Sequence, residues 1–149
     1  MKLTGTVTIA RPRQKVWDAL NDPVVLAKII PACEKLERVG DDEYTVAQKL
    51  SMGAVKGVYT GKVALRDKKP PGAPTDPAGM RLEFEGKGPS AFMRGTANVS
   101  LVENGEATEL SYDSDVQIGG LLASLGSRLL EPVAKSLLGQ FFQSLEKQI

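Results

Sequence analysis

The C-terminal segment carries the strongest periodic pattern in this chain and constrains its fold more than any other feature. From residue 121 to residue 147, apolar side chains recur at spacings of three or four, as on one face of an amphipathic helix. Pro132 lies inside the pattern and is predicted to kink this helix or divide it in two. Such a broad apolar face must be buried against another layer of structure. The stripe consists of Leu122, Leu125, Leu129, Val133, Leu137, Phe141 and Leu145.

The middle of the chain, from residue 33 to residue 118, has an apolar period of two, which is typical of strands. Short turn motifs separate the strands, and the Pro- and Gly-rich stretch 68–79 is predicted to be a long surface loop. The turns are Gly40-Asp41-Asp42, Gly88-Pro89-Ser90 and Asn104-Gly105. Six strands are predicted near 33–39, 43–52, 55–66, 80–87, 91–103 and 107–118.

The N-terminal segment adds one more strand and two short helices. Residues 2–9 alternate between polar and apolar side chains, as in a half-buried strand. Pro12 suits the first position of a helix, and Asp22 caps a second helix that starts at Pro23 and ends at Pro31. The whole pattern predicts the α+β class and a helix-grip fold. In this fold a seven-stranded curved antiparallel sheet wraps around the long C-terminal helix, with the two short helices between strands 1 and 2.

The composition excludes several classes of function. The chain has 149 residues and no histidine, so Ser-His-Asp and Cys-His arrangements are impossible and a His/Cys metal site is not expected. Cys33 is the single cysteine, and without a disulfide it favours a reducing, cytoplasmic setting. A net charge of +1 gives no overall field that would favour nucleic acid as a partner. No stretch reaches the roughly 20 apolar residues of a membrane-spanning helix.

Two pairs of carboxylates invite an acid–base interpretation. Glu83 and Glu85, like Asp113 and Asp115, are spaced i, i+2 on predicted strands, which places each pair about 6.5–7 Å apart on one face. The residues that alternate with them are mainly apolar and must point inward. We therefore expect these carboxylates on a solvated face of the sheet, without a catalytic role.

The inward registers of two central strands contain small residues where packing against a helix normally requires large ones. Gly57 and Gly61 lie in one strand, and Gly95 and Ala97 lie in another. One interpretation is strong sheet curvature, because glycine in a strand often marks a bend or bulge. The other is an apolar cavity of roughly 300–1,000 Å³, the usual size of a ligand pocket.

Polar groups occur in the same inward register. They are either ordinary core residues or groups that orient a ligand, and with them we include Ser114. No charged residue lies in this register within the strand cores, so an acyl or isoprenoid tail would bind through burial, at about 0.8 kcal/mol per CH₂. No residue is assigned a catalytic or metal-binding role. The predicted ligand-binding residues are Tyr44, Gln48, Val55, Gly57, Tyr59, Gly61, Val63, Leu82, Phe84, Met93, Gly95, Ala97, Tyr112, Val116, Leu122, Leu125, Leu129 and Val133.

Two further features bear on ligand entry and on partners. Gly119-Gly120 and Gly126 flank the start of the long helix and would either form a tight corner or let this end move as a gate. Arg11, Arg13 and Lys15 crowd the first turn of the first helix, where the helix dipole disfavours positive charge. They form either a solvated basic patch or a contact with an anionic membrane surface or partner.

Short motifs spread over nearly the whole chain point to a known family. They are Val16-Trp17-Asp18-Ala19-Leu20-Asn21-Asp22-Pro23, Ile30-Pro31-Ala32-Cys33-Glu34, Gly53-Ala54-Val55-Lys56-Gly57, Gly95-Thr96-Ala97, Gly119-Gly120-Leu121-Leu122-Ala123 and Phe141-Phe142. With these motifs the sequence resembles the family of the carbon monoxide dehydrogenase G protein, in the START-like (SRPBCC, Bet v 1-like) superfamily. The resemblance leads us to expect glycine where this chain has Ala32.

The resemblance implies one START-like ligand-binding domain over residues 1–149, with an internal apolar cavity and no tightly bound cofactor. It implies a quinone or lipid ligand and an accessory role beside a molybdenum hydroxylase, in membrane recruitment or electron handover, in the cytoplasm or at the inner face of the membrane. Two alternatives stay open. One is a polyketide-cyclase-like enzyme with Tyr59 or Tyr112 as the acid or base, and the other is an assembly factor acting through its surface.

Overall fold

The secondary structure follows the predicted order in a computed structural model that describes residues 1–89 and 91–149. A 3-10 helix, which we call the linking turn (Leu121–Leu125), separates the last strand from the last helix. The elements are β1 (Lys2–Ile9), α1 (Arg13–Leu20), α2 (Pro23–Ile29), β2 (Cys33–Gly40), β3 (Glu43–Met52), β4 (Val55–Lys69), β5 (Ala78–Gly88), β6 (Ala91–Asn104), β7 (Ala107–Gly120) and α3 (Ser127–Gln148). The predicted Gly88-Pro89-Ser90 corner falls between β5 and β6, and Ser90 lies outside the described residues.

The seven strands form one antiparallel sheet in the order β1-β7-β6-β5-β4-β3-β2. The chain passes from one edge of the sheet to the other through α1 and α2, and then returns strand by strand. Asp22 caps α2 as predicted, since its carboxylate accepts a hydrogen bond of 2.9 Å from the amide of Val24. The α+β helix-grip fold predicted from the periodicity is confirmed.

The C-terminal end of α3 is fastened to the rest of the molecule. Leu145 is fully buried in a cluster with Trp17 and Ile29. The rings of Tyr112 and Phe142 lie 5.7 Å apart between their centroids. Glu146 accepts a hydrogen bond of 3.1 Å from the amide of Ala10, in the segment between β1 and α1. The face of the sheet that carries Tyr112 is therefore the face covered by α3.

The last helix is interrupted at Gly126, and the predicted division at Pro132 is wrong. Gly126 has a φ of +73°, a left-handed conformation that separates the linking turn from α3. Pro132 removes only the bond to the carbonyl four residues earlier, and α3 continues through it. The predicted inward stripe is also wrong at Leu129, which is 58% exposed, because the phase of α3 turns Leu130 inward instead.

The Pro-rich loop is shorter than predicted and is held by a buried arginine. Strands β4 and β5 extend beyond their predicted ends, so that the loop spans residues 70–77. Arg13 is only 2% exposed, and its guanidinium donates hydrogen bonds to the carbonyls of Asp76 at 2.7 Å and Ala73 at 3.0 Å. A solvated or membrane-facing role is therefore wrong for Arg13, since its charged group binds this loop inside the protein.

Candidate functional site

The inward register of the sheet is confirmed by its cross-strand pairs. Gly61 pairs with Gly86, Phe84 with Gly95, and Gly95 with Val116. Paired residues of an antiparallel sheet share one face, and this face is the one that α3 covers. The predicted small residues and the predicted polar residues therefore line the same side of the sheet.

The apolar interior has two centres. The larger cluster surrounds Leu145 and Trp17, and the smaller one consists of Leu50, Val55 and Leu130. The cross-strand row of Phe84, Gly95 and Val116 lies between residues that pack on the larger cluster and residues that pack on the smaller one. The space between sheet and helix is therefore not occupied by one continuous packed core.

Several inward side chains keep accessible surface although they face α3. Leu82 and Tyr112, at the larger cluster, and Tyr59 and Val133, at the smaller one, are all only half-buried. A side chain in this position can be accessible only if it borders space that a water-sized molecule can enter. Protein interiors are normally packed to crystal-like density, so this space is available to a guest molecule.

The strand glycines are used to accommodate aromatic rings. A Cβ on Gly95 would lie 2.9 Å from the ring of Phe84, and one on Gly5 would lie 2.5 Å from the hydroxyl of Tyr112. Part of the volume that the glycines indicate is thus filled by neighbouring rings. The sequence analysis missed Gly5, whose pairing with Tyr112 becomes visible only with the β1–β7 register.

The polar candidates divide into engaged and available groups. Gln48 donates to the carbonyl of Pro31 at 2.9 Å, and Ser114 donates to the carbonyl of Leu3 at 2.9 Å. Within the described part of the chain, the hydroxyl of Tyr112 has no hydrogen-bond partner, and it sits on a half-buried ring. It is therefore the clearest hydrogen-bond donor for a ligand on this face of the sheet.

The other predicted ligand-binding residues differ in their exposure. Met93 and Leu129 are exposed, at 37% and 58%, and thus lie away from the enclosed part of the interior. Tyr44, Val55, Ala97 and Val116 are buried. Half-buried are Gln48, Gly57, Tyr59, Gly61, Val63, Leu82, Phe84, Gly95, Tyr112, Leu122, Leu125 and Val133.

The outer face of the sheet is charged and carries two open hollows of ≈ 730 Å³ and ≈ 670 Å³. Both are lined by Lys62, Glu85 and Arg94, a mixture of charges that does not suit an apolar ligand. The carboxylates of both i, i+2 pairs are exposed on this face, as predicted. In residues 1–89 and 91–149 no group of acidic or cysteine side chains is arranged to hold a metal ion. No helix in these ranges is long and apolar enough to cross a membrane.

Comparison with known proteins identifies relatives of the whole chain. Residues 5–149 match the CoxG family, whose name denotes the G component of carbon monoxide dehydrogenase. No curated protein sequence matches the chain. A solved structure of a conserved protein from Geobacillus kaustophilus is 32% identical, with a TM-score of 0.92, and the match covers 99% of this chain and 94% of that one.

More distant structures share the fold. A START superfamily protein from Mycobacterium smegmatis is 13% identical with a TM-score of 0.73, covering 99% of this chain and 96% of that one. The Zhui aromatase/cyclase from Streptomyces sp. R1128 is 20% identical with a TM-score of 0.64, covering 99% and 92% of the two chains. At these identities the similarity shows a common architecture only.

Proposed function

Because the chain belongs to the carbon monoxide dehydrogenase CoxG family and has a START-like fold, we propose that it binds an uncharged apolar small molecule without transforming it. The binding site is the space between the sheet and α3, within one ligand-binding domain over residues 1–149. The observation that carries this proposal is the accessible surface on inward apolar side chains such as Leu82, Tyr59 and Val133.

The absence of inward charge favours a neutral ligand. The inward registers of β3 to β7 contain no Asp, Glu, Lys or Arg in the described residues. The carboxylate of a fatty acid would lose its hydration there without gaining an ionic partner, which is costly. A quinone or a neutral lipid avoids this cost, and the hydroxyl of Tyr112 can donate a hydrogen bond to its carbonyl oxygen.

The family supports an accessory role beside a carbon monoxide dehydrogenase, which is a molybdenum hydroxylase. We place the chain on the cytoplasmic side, at the inner face of the membrane, where a quinone is available. In electron handover, the bound quinone would take two electrons and two protons from the reduced partner enzyme and leave as the quinol. The family is a non-catalytic accessory component, so the redox chemistry belongs to the partner and the ligand.

The test compares two phenylalanine substitutions on α3. Val133→Phe adds volume on the sheet-facing side of the helix, and Ser136→Phe adds the same ring on its exposed side. Purified variants are titrated with a menaquinone that has a short isoprenoid tail, with oleic acid in parallel, and quenching of Trp17 fluorescence is recorded. We expect Val133→Phe to weaken menaquinone binding more than tenfold, and Ser136→Phe to leave it unchanged.

Three outcomes would contradict the proposal. One is the absence of menaquinone binding by the native protein together with no apolar molecule in its organic extract by mass spectrometry. The second is equal binding by both variants. The third is turnover of a polyketide-like substrate that is lost on changing Tyr59 and Tyr112 to Phe, which would establish the cyclase alternative.

A further inference from the structure

One end of the molecule has a charge composition unlike that of the rest. We call it the basic tip, and it comprises segments 49–58, 86–94 and 116–130, that is, the β3–β4 hairpin, the start of β6 and the linking turn with its flanks. These segments contain five cationic residues and none of the 18 acidic residues that the whole chain sets against its 19 basic ones. The cations, all exposed, are Lys49, Lys56, Lys87, Arg94 and Arg128.

Large apolar side chains are exposed on the same end. Leu121 is 70% exposed, Leu129 58%, Phe92 53% and Val58 48%. Outside the basic tip, the described residues show comparable exposure at few large apolar side chains. An exposed apolar group is common by itself, but a cluster of them rimmed by polar residues marks an interaction site.

The pieces of the basic tip are joined in space by strand pairing. Lys87 pairs with Phe92, whose ring lies against Gly119 at the end of β7. Lys49 pairs with Val58 across the β3–β4 hairpin. With neighbouring strands about 4.8 Å apart, the patch from β3 to β7 is roughly 20 Å wide.

The cations of the basic tip are not neutralised by neighbours. None of the five takes part in an ion pair within residues 1–89 and 91–149. The nearest acidic side chain in the cross-strand register is Glu85, which lies one row inward between Lys62 and Arg94. The patch therefore presents positive charge and apolar groups together.

We propose that the basic tip binds the surface of an anionic lipid bilayer, with Leu121 and Phe92 entering the headgroup region and the cations contacting lipid phosphates. Lysine is depleted at the centre of protein–protein interfaces, whereas lysine with Phe and Leu is typical of surfaces that lie on a bilayer. The contact deepens the proposed function by naming the membrane surface. It also brings the smaller apolar cluster around Leu130, at the same end, close to the bilayer.

The test is sedimentation of the full chain with vesicles of phosphatidylcholine alone or with phosphatidylglycerol at a ratio of 3:1. The variant Lys87→Glu/Leu121→Ser changes the basic tip, and neither residue belongs to the proposed ligand site. The matched control Lys69→Glu/Val102→Ser makes the same kind of change at the opposite end, where Val102 is 54% exposed. Each cation near an anionic bilayer contributes about fivefold to binding, so the tip variant should bind at least tenfold more weakly.

The control variant should bind within twofold of the native protein, and raising the salt from 50 mM to 500 mM should weaken native binding. The proposal is overturned if anionic vesicles do not bind at 50 mM salt, or if both variants lose binding equally. Retention on polyglutamate that depends on Lys87, without vesicle binding, would instead identify an acidic protein as the partner. Titration with menaquinone in the absence of vesicles separates the two proposals, because the tip variant should bind this ligand as the native protein does.

Discussion

Substitution of Arg13 should produce the largest loss of stability available from a single polar side chain in this structure. Its guanidinium makes two hydrogen bonds of 2.7 and 3.0 Å to the loop carbonyls of Asp76 and Ala73, and its side chain is 2% exposed. Hydrogen bonds from a charged donor contribute about 1.5–3 kcal/mol each. We therefore expect Arg13→Ala to lower the free energy of unfolding by about 3–5 kcal/mol, with Arg13→Lys at roughly half that loss because lysine cannot reproduce the fork.

The assay is urea unfolding followed by the fluorescence of Trp17, combined with limited proteolysis of loop 70–77. Arg11→Ala is the control, because Arg11 bonds only to the neighbouring carbonyl of Ala10, and it should cost less than about 1 kcal/mol. Cleavage in the loop should accelerate in the Arg13 variants alone. A loss below about 1 kcal/mol for Arg13→Ala, with an unchanged rate of loop cleavage, would refute the reasoning.

Three further predictions test other parts of the fold. Ala32 has a φ of +54°, so Ala32→Gly should relieve a strain of about 1 kcal/mol and raise the Tm, and a lower Tm would contradict this. Gly95→Ala should destabilise by about 1–3 kcal/mol because its Cβ would meet the ring of Phe84, whereas Gly139→Ala, with open space around it on α3, should stabilise by up to about 1 kcal/mol in the same urea titration. Burial raises the pKa of the Cys33 thiol, so at pH 8 iodoacetamide should label it more slowly in the folded protein than in urea, and equal rates would argue against the burial.

The sheet was predictable because each strand alternates strictly enough to fix its inward register. Gly61, Phe84 and Gly95 were placed on one face from sequence, and the pairing confirms it. The start of the last helix was less predictable, because Pro132 carries the stronger general preference for breaking helices. Gly126 breaks the helix instead, since its backbone adopts a left-handed conformation there.

The side-chain partners in the interior were beyond what periodicity can give. From sequence, Arg13 is one of three cations on a first helical turn, and its burial depends on a loop about 60 residues away along the chain. The ring of Tyr112 covers Gly5 through a pairing across more than 100 residues. Local patterns determine which face a residue takes, but such distant contacts determine how much of the predicted space remains empty.

The pairing of β1 with β7 has a consequence for synthesis of the protein in the cell. Lys2 pairs with Asp115 and Ile9 with Thr108, so that the first strand made has its partner among the last. At about 5–20 residues per second, β1 waits roughly 5–25 s on the ribosome before β7 emerges. During that time its alternating apolar residues are an unpaired strand edge. The nascent chain should therefore depend on chaperones until the final third has been translated, and a synonymous slowing of translation late in the gene should lower its yield.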